Sequence, residues 1–98
     1  MAQTPEGKVK QKVKFMLKAF GAYYHMPVQN GMGAPTLDFV GCHEGIFFGI
    51  ETKAGNKKPT PRQDQTMKDM QSAGGKTFLI NEEEGMKELE VWLNLNRK

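Results

Sequence analysis

The run Gly45-Ile46-Phe47-Phe48-Gly49-Ile50, followed at once by Glu51-Thr52-Lys53, constrains this chain more than any other stretch. Six consecutive uncharged, largely apolar residues read as a β-strand covered on both faces, so the fold needs a sheet with packing on either side. Residues at i and i+2 of a strand share a face, so Glu51 and Lys53 point the same way. A carboxylate and an ammonium are thereby carried to the end of a buried strand. The stretch upstream, Leu37 to Cys42, also reads as a strand and holds Asp38 near its start. The tight His43-Glu44-Gly45 connection joins it to Ile46–Lys53 as an antiparallel hairpin. If the two pair, Asp38, Glu51 and Lys53 converge beside one sheet, where packing has no use for charge. Two carboxylates and an ammonium are what a site needs to bind a divalent metal and cleave a phosphodiester.

The other elements follow from their own signals. Thr4-Pro5-Glu6 reads as an N-cap, a first-turn proline and a first-turn acid. Val9, Val13, Met16, Leu17 and Phe20 then recur at helical spacing up to Gly21. Lys8, Lys10, Lys12, Lys14 and Lys18 spread over the rest of that helix as a solvated or phosphate-facing surface. Tyr23 to Val28 reads as a short strand, and Gln29 to Pro35 as a glycine-rich loop. After the hairpin, Ala54 to Pro59 is a polar, basic loop. Thr60-Pro61-Arg62-Gln63 opens a second helix that puts Gln63, Met67 and Met70 on one face and stops at Gly74-Gly75. Lys76 to Ile80 is a last strand. Asn81 is expected to cap a terminal helix with Glu82, Glu83 and Glu84 in its first turn and Met86, Leu89, Trp92 and Leu93 as its packing stripe. The order α-β-β-β-α-β-α gives an α/β domain: one small mixed sheet flanked by helices, spanning residues 1–98.

Composition narrows the setting. A chain of 98 residues is one domain's worth and buries only about 60 to 65% of its unfolded surface. Fourteen Lys plus Arg against 11 Asp plus Glu leave a net charge of +3, which suits a polyanionic partner and equally a solvated lysine-rich surface. Cys42 is the sole cysteine, which excludes an internal disulfide and a cysteine-based zinc site and fits a reducing cytoplasm. Neither His25 nor His43 has a second histidine or cysteine at ligand spacing. The polar start is no signal peptide, and the apolar stretches are too short to span a bilayer.

The approach Gly33-Ala34-Pro35-Thr36-Leu37-Asp38, the strand end Glu51-Thr52-Lys53 and the later Gln63 resemble the PD-(D/E)XK nuclease superfamily. More closely, they resemble its VRR-NUC branch, whose stand-alone forms occur in phages and whose fused forms act in DNA-junction repair. The resemblance runs from Glu6 to Ile80. It departs at one point, because the branch places the aspartate straight after the proline and here Thr36 and Leu37 intervene. The likeness implies a restriction-endonuclease-like fold and a Mg²⁺ or Mn²⁺ cofactor. It also implies metal ligands at Asp38, Glu51 and Glu6, with the Thr52 carbonyl a further one, and kinship with dimeric Holliday-junction resolvases. On that reading the protein is a metal-dependent endonuclease for branched DNA, acting in the cytoplasm, or in the host cytoplasm if it is phage-encoded.

Each residue also has a plainer explanation. Glu-x-Lys occurs by chance in many proteins, and Lys53 can serve simply to neutralise Glu51. An ammonium beside a metal can also hold a hydroxide or stabilise charge growing on a phosphate. Glu6 suits the positive end of its helix without any metal. Gln63 has the spacing of a capping box with Thr60, a role compatible with orienting Lys53 or a water. Lys57, Lys58 and Arg62 form the best basic cluster near the site, either positioning phosphates or merely solvated. Removing one carboxylate from so crowded a site is expected to relieve repulsion and hold or raise the metal-free melting temperature. A small core also leaves Phe47, Phe48, Tyr23, Tyr24 and the Trp92 stripe competing for cover, so a homodimer that buries some of them is expected. The competing function is a non-catalytic nucleic-acid-binding module that retains the fold.

Overall fold

A computed structural model describes residues 4–28 and 35–96. Helix α1 spans Pro5–Ala19, β1 Tyr23–His25, β2 Phe39–His43, β3 Ile46–Thr52, α2 Pro61–Ser72, β4 Lys76–Ile80 and α3 Met86–Leu95. The order is the expected α-β-β-β-α-β-α. Most of the glycine-rich loop, residues 29–34, lies outside the described residues.

The four strands form one sheet in the order β1-β2-β3-β4, with two antiparallel pairings followed by a parallel β3·β4 pair. The β2–β3 hairpin turns on Glu44 and Gly45, both at positive φ (51° and 84°). That is the geometry of a two-residue turn whose twist matches the strands, and glycine takes its second position without strain. Beyond β3, a long crossover through α2 is what a parallel return requires.

Alternation along the strands sorts the two faces. Phe39, Phe48, Ile50, Phe78 and Ile80 meet Val9, Val13 and Leu17 of α1 and Leu89 and Leu93 of α3 in the main core. Trp92 closes that layer edge-on against Phe48 and Phe78, with ring centroids 5.9 and 5.5 Å away. Helix α2 covers the opposite face. Its approach depends on Gly49, where an added Cβ would lie 2.6 Å from Met70 Sδ and 2.9 Å from Leu37 Cδ1.

Three expectations need correction. β1 ends at His25 rather than Val28, because Pro27 has no N–H to give to the ladder. β2 begins at Phe39, so Asp38 stands just before the strand rather than within it. Helix α3 starts at Met86 behind Gly85, not at Glu82. Asn81 Oδ1 instead accepts from the backbone N–H of Glu83 (2.9 Å) and Glu84 (2.6 Å), so it caps a turn. Glu82 has separate work there: its Oε2 accepts the Gly55 N–H at 2.7 Å, and beside it Asn81 Nδ2 donates to the Gly55 carbonyl at 3.1 Å. The basic loop after β3 is thereby tied to the β4–α3 turn. Among the described residues, no helix is long and apolar enough to cross a membrane.

A carboxylate pair at the end of the sheet

Backbone pairing fixes the site. Register Phe39↔Ile50 places the residue before β2 beside the end of β3, so Asp38 and Glu51 meet. The Asp38 N–H donates to Glu51 Oε1 at 3.3 Å. In return Asp38 Oδ2 accepts from the Thr52 N–H at 2.9 Å and from the Thr52 hydroxyl at 2.6 Å. Each carboxylate is thus held by the other's strand. Lys53 lies one residue past β3, but its N–H still donates to the Ile80 carbonyl at 2.9 Å. The alternation therefore continues, and Lys53 Nζ comes to 3.5 Å from Glu51 Oε2.

Helix α2 adds the fourth member. Thr60 and Gln63 form the capping box: Gln63 N–H donates to Thr60 Oγ1 at 3.1 Å, and Gln63 Oε1 accepts the Thr60 N–H at 3.0 Å. The other end of the same amide, Nε2, donates to Glu51 Oε2 at 2.9 Å. Gln63 thus caps its helix and reaches the site at once, though its partner there is Glu51 rather than Lys53.

Glu51 is 2% exposed, and its environment acts on its charge. Burial, followed by the negative charge of Asp38, pushes its carboxyl up to about 7, while Lys53 pulls the other way. Such a shift, set by burial and a specific charge partner, makes Glu51 a candidate functional group. The stability expectation for this pair divides. Glu51 is a buried charge whose removal relieves repulsion. Asp38 accepts from both donors of the fully buried Thr52, its N–H and its hydroxyl, so truncating it strands them.

The structure does not bring Glu6 directly onto the pair. Its Oε2 is 3.6 Å from Lys10 Nζ, and Lys10 Nζ is 3.8 Å from Asp38 Oδ1, so the connection runs through a lysine. Lys10, expected with the other α1 lysines on a solvated or phosphate-facing surface, instead lies between Glu6 and Asp38. Its signal was the i,i+4 spacing from Glu6, beside the buried Val9. Lys57, Lys58 and Arg62 are all exposed, on the loop after β3 and the first turn of α2. Among the described residues, no three or more His, Cys, Asp or Glu side chains are grouped to hold a metal ion. The protein's close anionic donors are therefore Asp38 and Glu51. Two carboxylate ligands fit Mg²⁺ or Mn²⁺, hard cations that keep several waters and share phosphate oxygens with their substrate.

The apolar side chains expected to compete for cover divide. Phe48 is fully buried, and Tyr24 and Trp92 pack against the core within the chain; Tyr23 and Phe47 remain exposed. His43 is buried with Nε2 3.0 Å from the Leu93 carbonyl, a structural contact.

No family model matches the sequence, and no curated protein matches it significantly. A solved structure described as a VRR_NUC domain superposes with a TM-score of 0.73, covering 94% of this chain and 97% of its own, at 21% sequence identity. The two share a fold.

Proposed function

We propose that this protein is a Mg²⁺- or Mn²⁺-dependent endodeoxyribonuclease. The observation that carries the reading is the convergence of Asp38, Glu51, Lys53 and Gln63 at one end of the sheet, with Glu51 buried and its carboxyl raised to about 7. The fold shared with a VRR_NUC domain supports it. A module that only bound nucleic acid would gain nothing from burying a carboxylate toward phosphates.

Asp38 and Glu51 would hold the cation, with the Thr52 carbonyl and Glu6 as proposed further ligands. When bound, the cation supplies Lewis acidity to the scissile phosphate and lowers the pKa of a bound water. The protein's own groups do the rest. Thr52 and Gln63 fix the two carboxylates through hydrogen bonds of 2.6 to 2.9 Å. Lys53, only 14% exposed in its side chain, presents an ammonium in a partly desolvated position where charge growing on a phosphate is best stabilised.

Substrate recognition is proposed to rest on shape. Lys57, Lys58 and Arg62 offer phosphate contacts, which position a duplex without reading bases. Branched DNA, four-way junctions in particular, is the proposed substrate. A homodimer would present two equivalent sites to related strands. Tyr23 and Phe47, both paired with Cys42 across the sheet and exposed, offer an apolar surface for that contact.

The test is nicking of supercoiled plasmid and of linear, flap, splayed and four-way substrates, with Mg²⁺, Mn²⁺ or chelator, alongside light scattering. Metal-dependent cutting lost in Asp38→Asn is expected, fastest on junctions, with twice the chain mass in solution. Binding without cutting in any metal would leave the binding module. Equal rates on linear and junction DNA by a monomer would leave a shape-indifferent nuclease.

A further inference from the structure

Two lysines neighbour the carboxylate pair at the end of the sheet, Lys53 beside Glu51 and Lys10 between Asp38 and the Glu6 of its own helix, and they are held differently. Lys53 follows β3 directly, its backbone bonded to Ile80 and its side chain 14% exposed. Lys10 arrives from α1, one residue past the buried Val9, with its side chain 32% exposed. Its contacts to Glu6 and Asp38, at 3.6 and 3.8 Å, exceed hydrogen-bond length, so charge rather than directional bonding keeps it there. A long, partly solvated stem of this kind retracts at little cost.

The two oxygens of Asp38 are unequal. Oδ2 takes both Thr52 donors, and Oδ1 is the one that faces Lys10. Any cation that binds Asp38 meets an ammonium already seated against it. Resting on the metal-dependent reading above, we infer that Lys10 is a built-in counter-ion of the site: it neutralises Asp38 and Glu6 in the metal-free protein and yields that position to a divalent cation. Lys10 is thereby a positioning residue that sets metal affinity. The metal-free pair keeps its geometry, and the displaced ammonium stays within reach of incoming phosphate.

Calorimetric titration of Mn²⁺ into wild type, Lys10→Met, Lys10→Arg and Asp38→Asn tests this directly. Two unit charges 4 Å apart in bulk water interact by about 1 kcal/mol, so Lys10→Met is expected to bind Mn²⁺ about fivefold more tightly. Lys10→Arg should match wild type, and Asp38→Asn should lose binding. The rise in melting temperature caused by Mn²⁺ should also be larger in Lys10→Met than in wild type. If Asp38→Asn loses Mn²⁺ while Lys10→Met binds it no better than wild type, the counter-ion role is wrong and the metal site stands. If wild type takes up no Mn²⁺, or Asp38→Asn binds it equally, both fall together. Lys10→Gln carries the comparison should Lys10→Met lose its helical circular dichroism.

Discussion

Replacing Glu51 with glutamine isolates the energetic consequence of its burial. The carboxyl ionises near 4.5 when solvated and at about 7 in the folded chain. Between those values the native state binds more proton than the unfolded state, so this group's contribution is fully present below about pH 4.5 and is lost as pH rises through about 7. The interval is equivalent to about 3 kcal/mol. Glutamine cannot ionise, so Glu51→Gln removes that decline. It also turns one acceptor into a donor, facing either the Asp38 N–H or Gln63 Nε2, at a cost of roughly 1 kcal/mol. In chelator, the variant should be level with wild type or slightly weaker at pH 5 and more stable by about 2 kcal/mol at pH 8. With a small domain's urea dependence of at least about 1 kcal/mol per molar, the midpoint at pH 8 should rise by roughly 1 to 2 M. Urea melts of both proteins from pH 5 to 8 measure it. Every other titratable group is common to both chains and cancels in the difference. Parallel stability curves across that range would refute the argument, because they would mean that Glu51 does not titrate there.

Asp38→Ala should abolish nicking and, unlike Glu51→Gln, lower metal-free stability by about 1 to 3 kcal/mol, because Thr52 loses both of its acceptors; thermal melts beside a plasmid assay separate the effects. Lys53→Ala should retain Mn²⁺ affinity by calorimetry while lowering turnover on the order of 100-fold. Loss of metal with the rate preserved at saturating metal would reverse the assigned roles. Thr60→Ala should cost about 1 kcal/mol by urea melt through loss of the helix cap, and should lower turnover by loosening Gln63. Gly49→Ala should destabilise by roughly 1 to 3 kcal/mol, as its methyl meets Met70 and Leu37, and a calorimetric melt reads the shift.

What the sequence made legible follows periodicity and turn chemistry. The hairpin, Lys76–Ile80 and the capping box were readable because each depends on residues close together in the chain. Asp38, Glu51 and Lys53 were readable because charge at the end of an apolar strand has so few structural uses. The misplaced start of α3 has a local cause: three glutamates after Asn81 look like a first helical turn, yet Asn81 and Glu82 are drawn to the turn and to Gly55. Lys10 was unreadable for a different reason. Five lysines decorate α1, and only the three-dimensional placement of Asp38 distinguishes this one from the others.

The Gln63 amide has a consequence for which substitutions this chain tolerates. Capping boxes accept glutamate or glutamine interchangeably, since either supplies the oxygen that the cap N–H needs. Here that freedom is lost. Oε1 serves the helix while Nε2 serves Glu51, so a glutamate at the same position would preserve the helix start and set a third carboxylate against a buried one. A residue that capping alone would let drift is therefore confined to a single identity by the site beneath it. Variants recovered by selection for the helix start should accept Gln63→Glu freely, whereas those recovered by selection for cleavage should not.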